Sequence, residues 1–176
     1  MCIENDATWK EQHVDAGLEG MKVARSIALI SYRHYEAYNK SQHGFTIDTE
    51  GATIDKQIFK AETYQRYQGE KLAKRFNAFS YYFLSHAMDK HNVGRGRDSV
   101  RAALQSIKAK TLVISISSDV LFPTSEQELL SAYIPNAQLA IIDSYYGHDG
   151  FLLEFETIEN LVRDFISQYK TALKPV

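Results

Sequence analysis

Two residues that could act together as an acid and a base each follow a short apolar run. Asp119 comes shortly after the run TLVISIS, and His148 lies in a glycine-bearing loop after the run AQLAIID. Groups at the carboxyl ends of neighbouring parallel strands gather at one edge of a sheet. A carboxylate that fixes an imidazole tautomer, while the imidazole takes a proton from a serine, is the arrangement of serine-dependent acyl transfer and hydrolysis. Each residue taken singly is more often a turn or cap residue, so the prediction depends on the pair.

The two runs belong to a strand, helix, strand, helix order in the last third of the chain. TLVISIS is apolar and rich in β-branched residues, as buried parallel strands are. A helix is predicted after Pro123, with Ser125 and Glu128 as a capping box, and the last helix carries apolar positions from Phe155 to Ile166. This order predicts a right-handed parallel βαβα unit. Because two parallel strands do not form a stable sheet alone, we expect further strands from a larger fold or another chain.

The earlier part of the chain is predicted to be helical. From about Gly17 to Ile107 apolar residues recur at helical spacing, and the last of these helices has Asp98 as its predicted N-cap. The sequence therefore predicts an α/β protein in two parts. A helical region covers residues 1–109, and the βαβα unit covers residues 110–176.

Composition excludes several classes of function. The chain has 176 residues, 44% of them hydrophobic, and a net charge of −2 without a basic stripe, so nothing favours nucleic acid or a membrane surface. Cys2 is the only cysteine, and the histidines lack HxxH or HExxH spacing, so neither a disulfide nor a metal site is predicted. No apolar run reaches the roughly 18 residues of a membrane-spanning helix. A single cysteine suits a reducing compartment, and we expect a cytoplasmic protein.

The sequence lacks the serine that an acid–base pair of this kind would activate. In this strand order the nucleophile lies in G-x-S-x-G between a strand and a helix. The candidate serines lie in KSQHG, FSYYF, LSHAM, SISSD and DSYYG, and none has glycines two residues away on both sides. We therefore expect the serine to come from outside these 176 residues.

Three longer stretches are more specific than the acid–base spacing. They are YQGEKLAKRFNAFSYYFLSHAMDKHNVGRGR, TLVISISSDVLFPTSEQELL and YYGHDGFLLE. Together they closely resemble the C-terminal half of homoserine O-acetyltransferases, which belong to the α/β-hydrolase superfamily. The resemblance runs from about Asp6 to the final helix. It implies the C-terminal portion of an α/β-hydrolase fold, with residues 1–109 as a lid and dimerisation region and residues 110–176 as part of the core.

The resemblance also implies an activity and residue roles. Such enzymes transfer an acetyl group from acetyl-CoA to the hydroxyl of L-homoserine through an acyl-serine, in methionine biosynthesis. On matching positions, Asp119 would be the triad acid, His148 the base and Asp149 the contact for the amino group of homoserine. Acetyl-CoA would be a substrate, with no bound cofactor. The chain would form a homodimer through its helical region and would need an N-terminal half that carries the serine. Gly150 departs from the alanine usual in the family.

Three interpretations follow from these observations. The chain is the C-terminal part of an acyltransferase, a subunit of a split acyltransferase or hydrolase, or a noncatalytic helical self-association module. The first two predict that the chain alone is inactive, because the triad serine is absent. The sequence does not distinguish acetyl from succinyl donors or homoserine from serine acceptors.

Overall fold

The computed structural model describes residues 1–11, 13–46 and 58–170, which fall into two compact units. The first unit comprises the described residues of Met1–Ser31 and Tyr35–His91, and the second comprises Tyr32–His34 and the described residues from Asn92 onward. The helices are α1 (Leu18–Tyr32), α2 (Tyr35–Gln42), α3 (Lys60–Ala73), α4 (Ala78–Asp89), α5 (Val100–Gln105), α6 (Thr124–Tyr133), α7 (Gly150–Leu153) and α8 (Phe155–Lys170). The strands are β1 (Phe45–Thr46), β2 (Ile58–Phe59), β3 (Thr111–Ile116) and β4 (Ala137–Ile142), and single 3₁₀ turns cover Trp9–Glu11 and Gly147–Asp149.

The first unit is helical around a small apolar core, as the spacing predicted. Its buried cluster contains Ile3, Met21, Leu72 and Ala78, with Trp9 and other half-buried apolar side chains packed against it. Met21 is fully buried, because its position on α1 faces this cluster. The strands β1 and β2 add a two-residue antiparallel ribbon, in which the rings of Phe45 and Phe59 lie 4.5 Å apart.

The second unit contains the predicted βαβα order. The strands β3 and β4 are parallel, in a register that runs from Thr111 opposite Ala137 to Ile116 opposite Ile142. The helix α6 connects them and packs against both strands. The prediction of a parallel unit is therefore confirmed, and within the described residues its sheet contains two strands. The helix α5 belongs to this second compact unit, whereas the predicted functional boundary between residues 109 and 110 stays a prediction.

Two helix starts differ from the predicted ones. The cap of α5 is Ser99 rather than Asp98, and its hydroxyl accepts a hydrogen bond from the Ala102 N–H at 3.0 Å. The helix α6 begins at Thr124, directly after Pro123, so Ser125 lies inside the first turn and forms no capping box with Glu128. Pro123 has no side-chain acceptor, and its carbonyl accepts from the Glu126 N–H at 2.8 Å. In both cases the residue with the extended backbone that a cap requires lies close to the predicted one, one position later at α5 and two positions earlier at α6.

Within the described ranges, no helix combines the length and the apolar character that a bilayer-spanning segment needs.

Candidate active site

The structure brings Asp119 and His148 together at the carboxyl ends of β3 and β4. The Asp119 Oδ2 and His148 Nδ1 atoms are 2.8 Å apart. The Asp119 side chain is 8% exposed and the His148 side chain 21%. The contact that the strand order predicted is therefore present, in a position shielded from most solvent.

Backbone hydrogen bonds hold the Asp119 carboxylate in place. Its Oδ1 atom accepts from the N–H groups of Leu121 at 2.8 Å and Phe122 at 3.0 Å. These bonds leave Oδ2 directed at the imidazole. Because an ionised carboxylate only accepts hydrogen bonds, the geometry assigns the proton to His148 Nδ1 and makes Nε2 the basic nitrogen. An imidazole in this tautomer can take a proton from a hydroxyl.

Aromatic rings surround the imidazole. The ring centroids of Phe122 and Phe151 each lie 5.2 Å from that of His148, and the centroid of Tyr32 lies 5.6 Å away. A cavity of about 190 Å³ adjoins the pair, and its lining consists of Ile114, Ile116, Asp119, Phe122, Gln127, His148 and Phe151. A larger cavity of about 710 Å³ lies between α1 and α3 in the first unit, but its lining contains no histidine, serine–histidine pair or cysteine. The smaller cavity is the one that adjoins the acid–base pair.

The turn that carries His148 requires glycine at position 147. Gly147 has a φ of +68°, which residues other than glycine rarely adopt. A Cβ at this position would lie 2.5 Å from the backbone nitrogen of His34. The segment Tyr32–His34 thus packs directly on this turn within the second unit. No local sequence signal indicates a contact between positions so far apart in the chain.

Asp149 forms an ion pair with a residue of the same distant segment. The Arg33 Nε atom donates to Asp149 Oδ2 at 2.9 Å, and the two side chains are 31% and 22% exposed. Sequence reasoning did not find Arg33, because the two residues are 116 positions apart. The predicted role of Asp149 as a substrate contact stays a prediction, and its carboxylate already has a cationic partner.

Serine hydroxyls connect the two loops that carry the acid and the base. The Ser117 hydroxyl donates to Asp143 Oδ1 at 3.0 Å and accepts from the Ser144 N–H at 3.2 Å. The Ser118 hydroxyl donates to the Ser144 carbonyl and accepts from the Gly147 N–H at 2.9 Å. Both serines lie in SISSD, which lacks the glycines of a nucleophile elbow, and in the structure their hydroxyls form hydrogen bonds between the loops.

Among the described residues, no group of three or more histidine, cysteine, aspartate or glutamate side chains is arranged to hold a metal ion.

Comparison with known proteins relates the chain to a family. No protein-family model matches the chain. The homoserine O-acetyltransferase of Cyclobacterium marinum is 42% identical over 165 residues, which are 94% of this chain and 45% of that protein. That of Chlorobaculum tepidum is 41% identical over 170 residues, which are 95% of this chain and 46% of that protein. The chain is a homologue of the C-terminal half of homoserine O-acetyltransferases.

Solved structures agree with this assignment at the level of the fold. The homoserine O-acetyltransferase from Bacillus anthracis superposes on this chain with a TM-score of 0.78 at 19% identity. The superposition covers 93% of this chain and 46% of the Bacillus chain. Esterase E22 superposes with a TM-score of 0.76 at 19% identity. Its superposition covers 93% of this chain and 47% of the esterase. The predicted α/β-hydrolase fold is thus confirmed. This chain spans about 45% of the length of the Cyclobacterium marinum relative. The activity of a full-length protein is therefore treated as a proposal.

Proposed function

We propose that this chain supplies the acid and the base of an enzyme that transfers an acetyl group from acetyl-CoA to the hydroxyl of L-homoserine. The observation that carries the proposal is the 2.8 Å contact between Asp119 and His148 at the carboxyl ends of two parallel strands. The homology to part of a named acyltransferase supports the reaction class. In this role the chain would contribute to methionine biosynthesis, in the cytoplasm.

The chemistry proceeds in two transfers. His148 Nε2 takes the proton of a serine hydroxyl as that oxygen attacks the thioester carbonyl of acetyl-CoA, and the CoA thiol leaves with the proton. The imidazole then takes the proton of the homoserine hydroxyl as it attacks the acyl-serine, and returns that proton to the serine oxygen. Asp119 stabilises the imidazolium that forms in each step and keeps Nδ1 protonated. Acetyl-CoA is consumed as a substrate, and no resident cofactor takes part.

The serine belongs to a further segment in this proposal. A G-x-S-x-G nucleophile elbow in an N-terminal half would place it at the same edge of the sheet. The two-stranded parallel sheet of the described residues supports such a partner, because buried parallel sheets usually have more strands. The partner is either the preceding part of one polypeptide or a separate subunit.

Asp149 would bind the amino group of homoserine, with Arg33 as its neighbour. The ion pair holds the carboxylate in one position, at 2.9 Å from the guanidinium nitrogen. An ammonium group arriving at the second carboxylate oxygen would share the negative charge with Arg33. The arrangement therefore favours a substrate that carries both an ammonium and a nearby negative charge, as an amino acid does.

A noncatalytic self-association module is the second candidate function. Its supporting observation is an apolar stripe on α1, where Val23, Ile27 and Ile30 are 52%, 56% and 67% exposed at helical spacing. A homodimer through the helical region would cover such a stripe in the acyltransferase as well. The two candidates differ in whether the acid–base pair is used.

Reconstitution tests the proposal. The purified chain alone should show no acetyl transfer from acetyl-CoA to homoserine, because loss of a triad nucleophile lowers the rate by about 10⁶. Addition of the N-terminal half of the Cyclobacterium marinum relative should restore transfer. In the restored enzyme His148→Ala should lower kcat by about 10⁴ to 10⁶, whereas His91→Ala, at an exposed histidine in the first unit, should leave it unchanged.

The outcomes separate the candidates. Full activity of the His148→Ala enzyme would refute the assignment of the base. Failure of any N-terminal half to restore transfer, together with stable self-association in sedimentation equilibrium, would favour the noncatalytic module. Turnover by the chain alone would show that its nucleophile lies within the present sequence.

A further inference from the structure

One hydroxyl lies next to both members of the acid–base pair. Ser118 directly precedes Asp119, and its hydroxyl accepts from the N–H of Gly147, which directly precedes His148, at 2.9 Å. The same hydroxyl donates to the carbonyl of Ser144, at the start of the loop that carries the histidine. Its donor and acceptor capacities are thus both used between the two loops.

The hydrogen bonds between β3 and β4 do not by themselves fix the distance between Asp119 and His148. The ladder between β3 and β4 ends at Ile116 and Ile142, and one more backbone bond joins the Ser117 N–H to the Ile142 carbonyl at 2.9 Å. Asp119 and His148 both lie beyond this point, in loops that have no regular ladder between them. The separation of the two loops is therefore set by side-chain bridges and by packing.

The hydroxyls of Ser117 and Ser118 bridge the two loops at different distances from His148. The Ser117 hydroxyl contacts Asp143 and Ser144, at the beginning of the histidine loop. The Ser118 hydroxyl reaches four residues past Asp143, to the backbone of the turn that carries His148. Both residues are serines in the same loop, and each makes hydrogen bonds across to the other loop.

We propose that Ser118 is a positioning residue of the acid–base pair, whose hydroxyl holds the Gly147–His148 backbone at the distance that the Asp119–His148 hydrogen bond requires. Loss of the Gly147 bond frees a backbone N–H and lets the turn move away from the Asp119 loop. A shift of about 1 Å between catalytic groups can lower a rate about 100-fold. The effect on rate depends on the proposed function, whereas the effect on geometry does not.

The test uses the full chain and reads the tautomer of His148. Histidine labelled with ¹⁵N is observed by NMR under alkaline conditions in which imidazoles are neutral, and His148→Ala identifies the resonance. The unchanged chain should show His148 with its proton on Nδ1. Ser118→Ala should shift His148 toward a mixture of the two tautomers, because the Asp119 contact no longer selects one.

The matched control is Ser117→Ala, which removes cross-loop hydrogen bonds of similar number from the adjacent position. It should lower the unfolding temperature about as much as Ser118→Ala and keep the Nδ1 tautomer. If both variants keep that tautomer, or if both lose it, Ser118 has no special positioning role. A merely structural role predicts one of those two results.

A second variant covers the case in which Ser118→Ala does not fold. Ser118→Cys fills the space of the hydroxyl but forms weaker hydrogen bonds, so it should show the same tautomer mixture, and retention of the Nδ1 tautomer would overturn the proposal. In the reconstituted enzyme, Ser118→Ala should lower kcat about 10- to 100-fold at nearly constant KM, and Ser117→Ala should change kcat less than about twofold. If the unchanged reconstituted enzyme transfers no acetyl group, the proposed function fails, and the tautomer measurement still decides the role of Ser118.

Discussion

The two units of the chain each contain a carboxylate that accepts backbone hydrogen bonds, Asp6 in the first and Asp119 in the second. Asp6 Oδ1 accepts from the N–H and the hydroxyl of Thr8 at 2.8 and 2.7 Å, and its Oδ2 accepts from the Gly20 N–H at 2.7 Å. Both oxygens of Asp6 are therefore occupied by nearby groups of the same unit, Oδ1 by Thr8 and Oδ2 by the backbone of Gly20. Asp119 uses only Oδ1 in this way, and its Oδ2 meets the imidazole of His148.

The difference shows how position decides what a carboxylate does. Asp6 lies beside the first turn of α1, where free N–H groups favour a negative acceptor, so its charge stabilises a helix. Asp119 lies at the carboxyl end of a parallel strand, where the chain turns away and leaves one oxygen for another group. The first unit uses its polar groups for structure around an apolar core, and the second uses them to align a site.

The largest expected effect is at Asp119, the proposed triad acid. Asp119→Asn should lower kcat of the reconstituted enzyme by about 10⁴, equivalent to about 5.5 kcal/mol, because the amide can donate to Nδ1 and so favours the wrong tautomer. The fold should survive, since an amide oxygen can still accept from Leu121 and Phe122. The measurement is kcat together with the unfolding temperature.

Asp143→Asn is the control for this change, because Asp143 is exposed at the end of β4 and its carboxylate accepts only from the Ser117 hydroxyl among the hydrogen bonds of the described residues. It should keep kcat within about threefold. A loss below tenfold for Asp119→Asn would remove the contrast between the two carboxylates.

The next largest expected effect concerns the apolar core of the first unit. Met21→Ala should lower the free energy of unfolding by about 2 to 5 kcal/mol, because it leaves a cavity in the core of the first unit. Met88→Ala makes the same chemical change at a side chain that is 73% exposed and should cost less than about 0.5 kcal/mol. Urea unfolding measures both, and equal costs would contradict a first unit held together by this core.

The sequence predicted the elements and the contact between Asp119 and His148 because both follow from regular geometry. The apolar spacing of α1 and the runs TLVISIS and AQLAIID indicate a helix and two strands, and parallel strands bring Asp119 and His148 to one edge. Helix starts were wrong by one residue at α5 and by two residues at α6, because several neighbouring residues can precede a first turn and backbone geometry chooses between them.

The contacts that sequence reasoning missed have no local period. The Arg33–Asp149 ion pair and the approach of Gly147 to Tyr32–His34 join positions more than 100 residues apart. The bridging roles of Ser117 and Ser118 depend on hydroxyl directions, which a sequence does not encode in its spacing. Homology supports the proposed reaction class, whereas these long-range contacts and hydroxyl bridges are seen only in the structure.

The smallest expected effect concerns Asp6. Asp6→Asn should lower the free energy of unfolding at pH 7 by about 1 kcal/mol, the usual cost of weakening a helix cap. The hydrogen bond from the Thr8 hydroxyl, followed by that from the Gly20 N–H, lowers the pKa of Asp6. Asp15→Asn, at an exposed aspartate of the same unit, is the control and should change the stability by less than about 0.5 kcal/mol.

The pH dependence of this difference separates charge from shape. Because the folded pKa of Asp6 is lower than the value near 3.9 of an unfolded aspartate, its ionised form stabilises the fold fully above that value. The contribution is lost as the pH falls through the folded pKa, since the protonated carboxyl loses its charge in both states. The gap between the unchanged chain and Asp6→Asn should therefore be widest near pH 7 and narrow below about pH 3 in urea unfolding. A gap of constant size across this range would mean that Asp6 acts through its shape alone, and the contrast with Asp119 would then rest on hydrogen-bond geometry rather than on where each negative charge is placed.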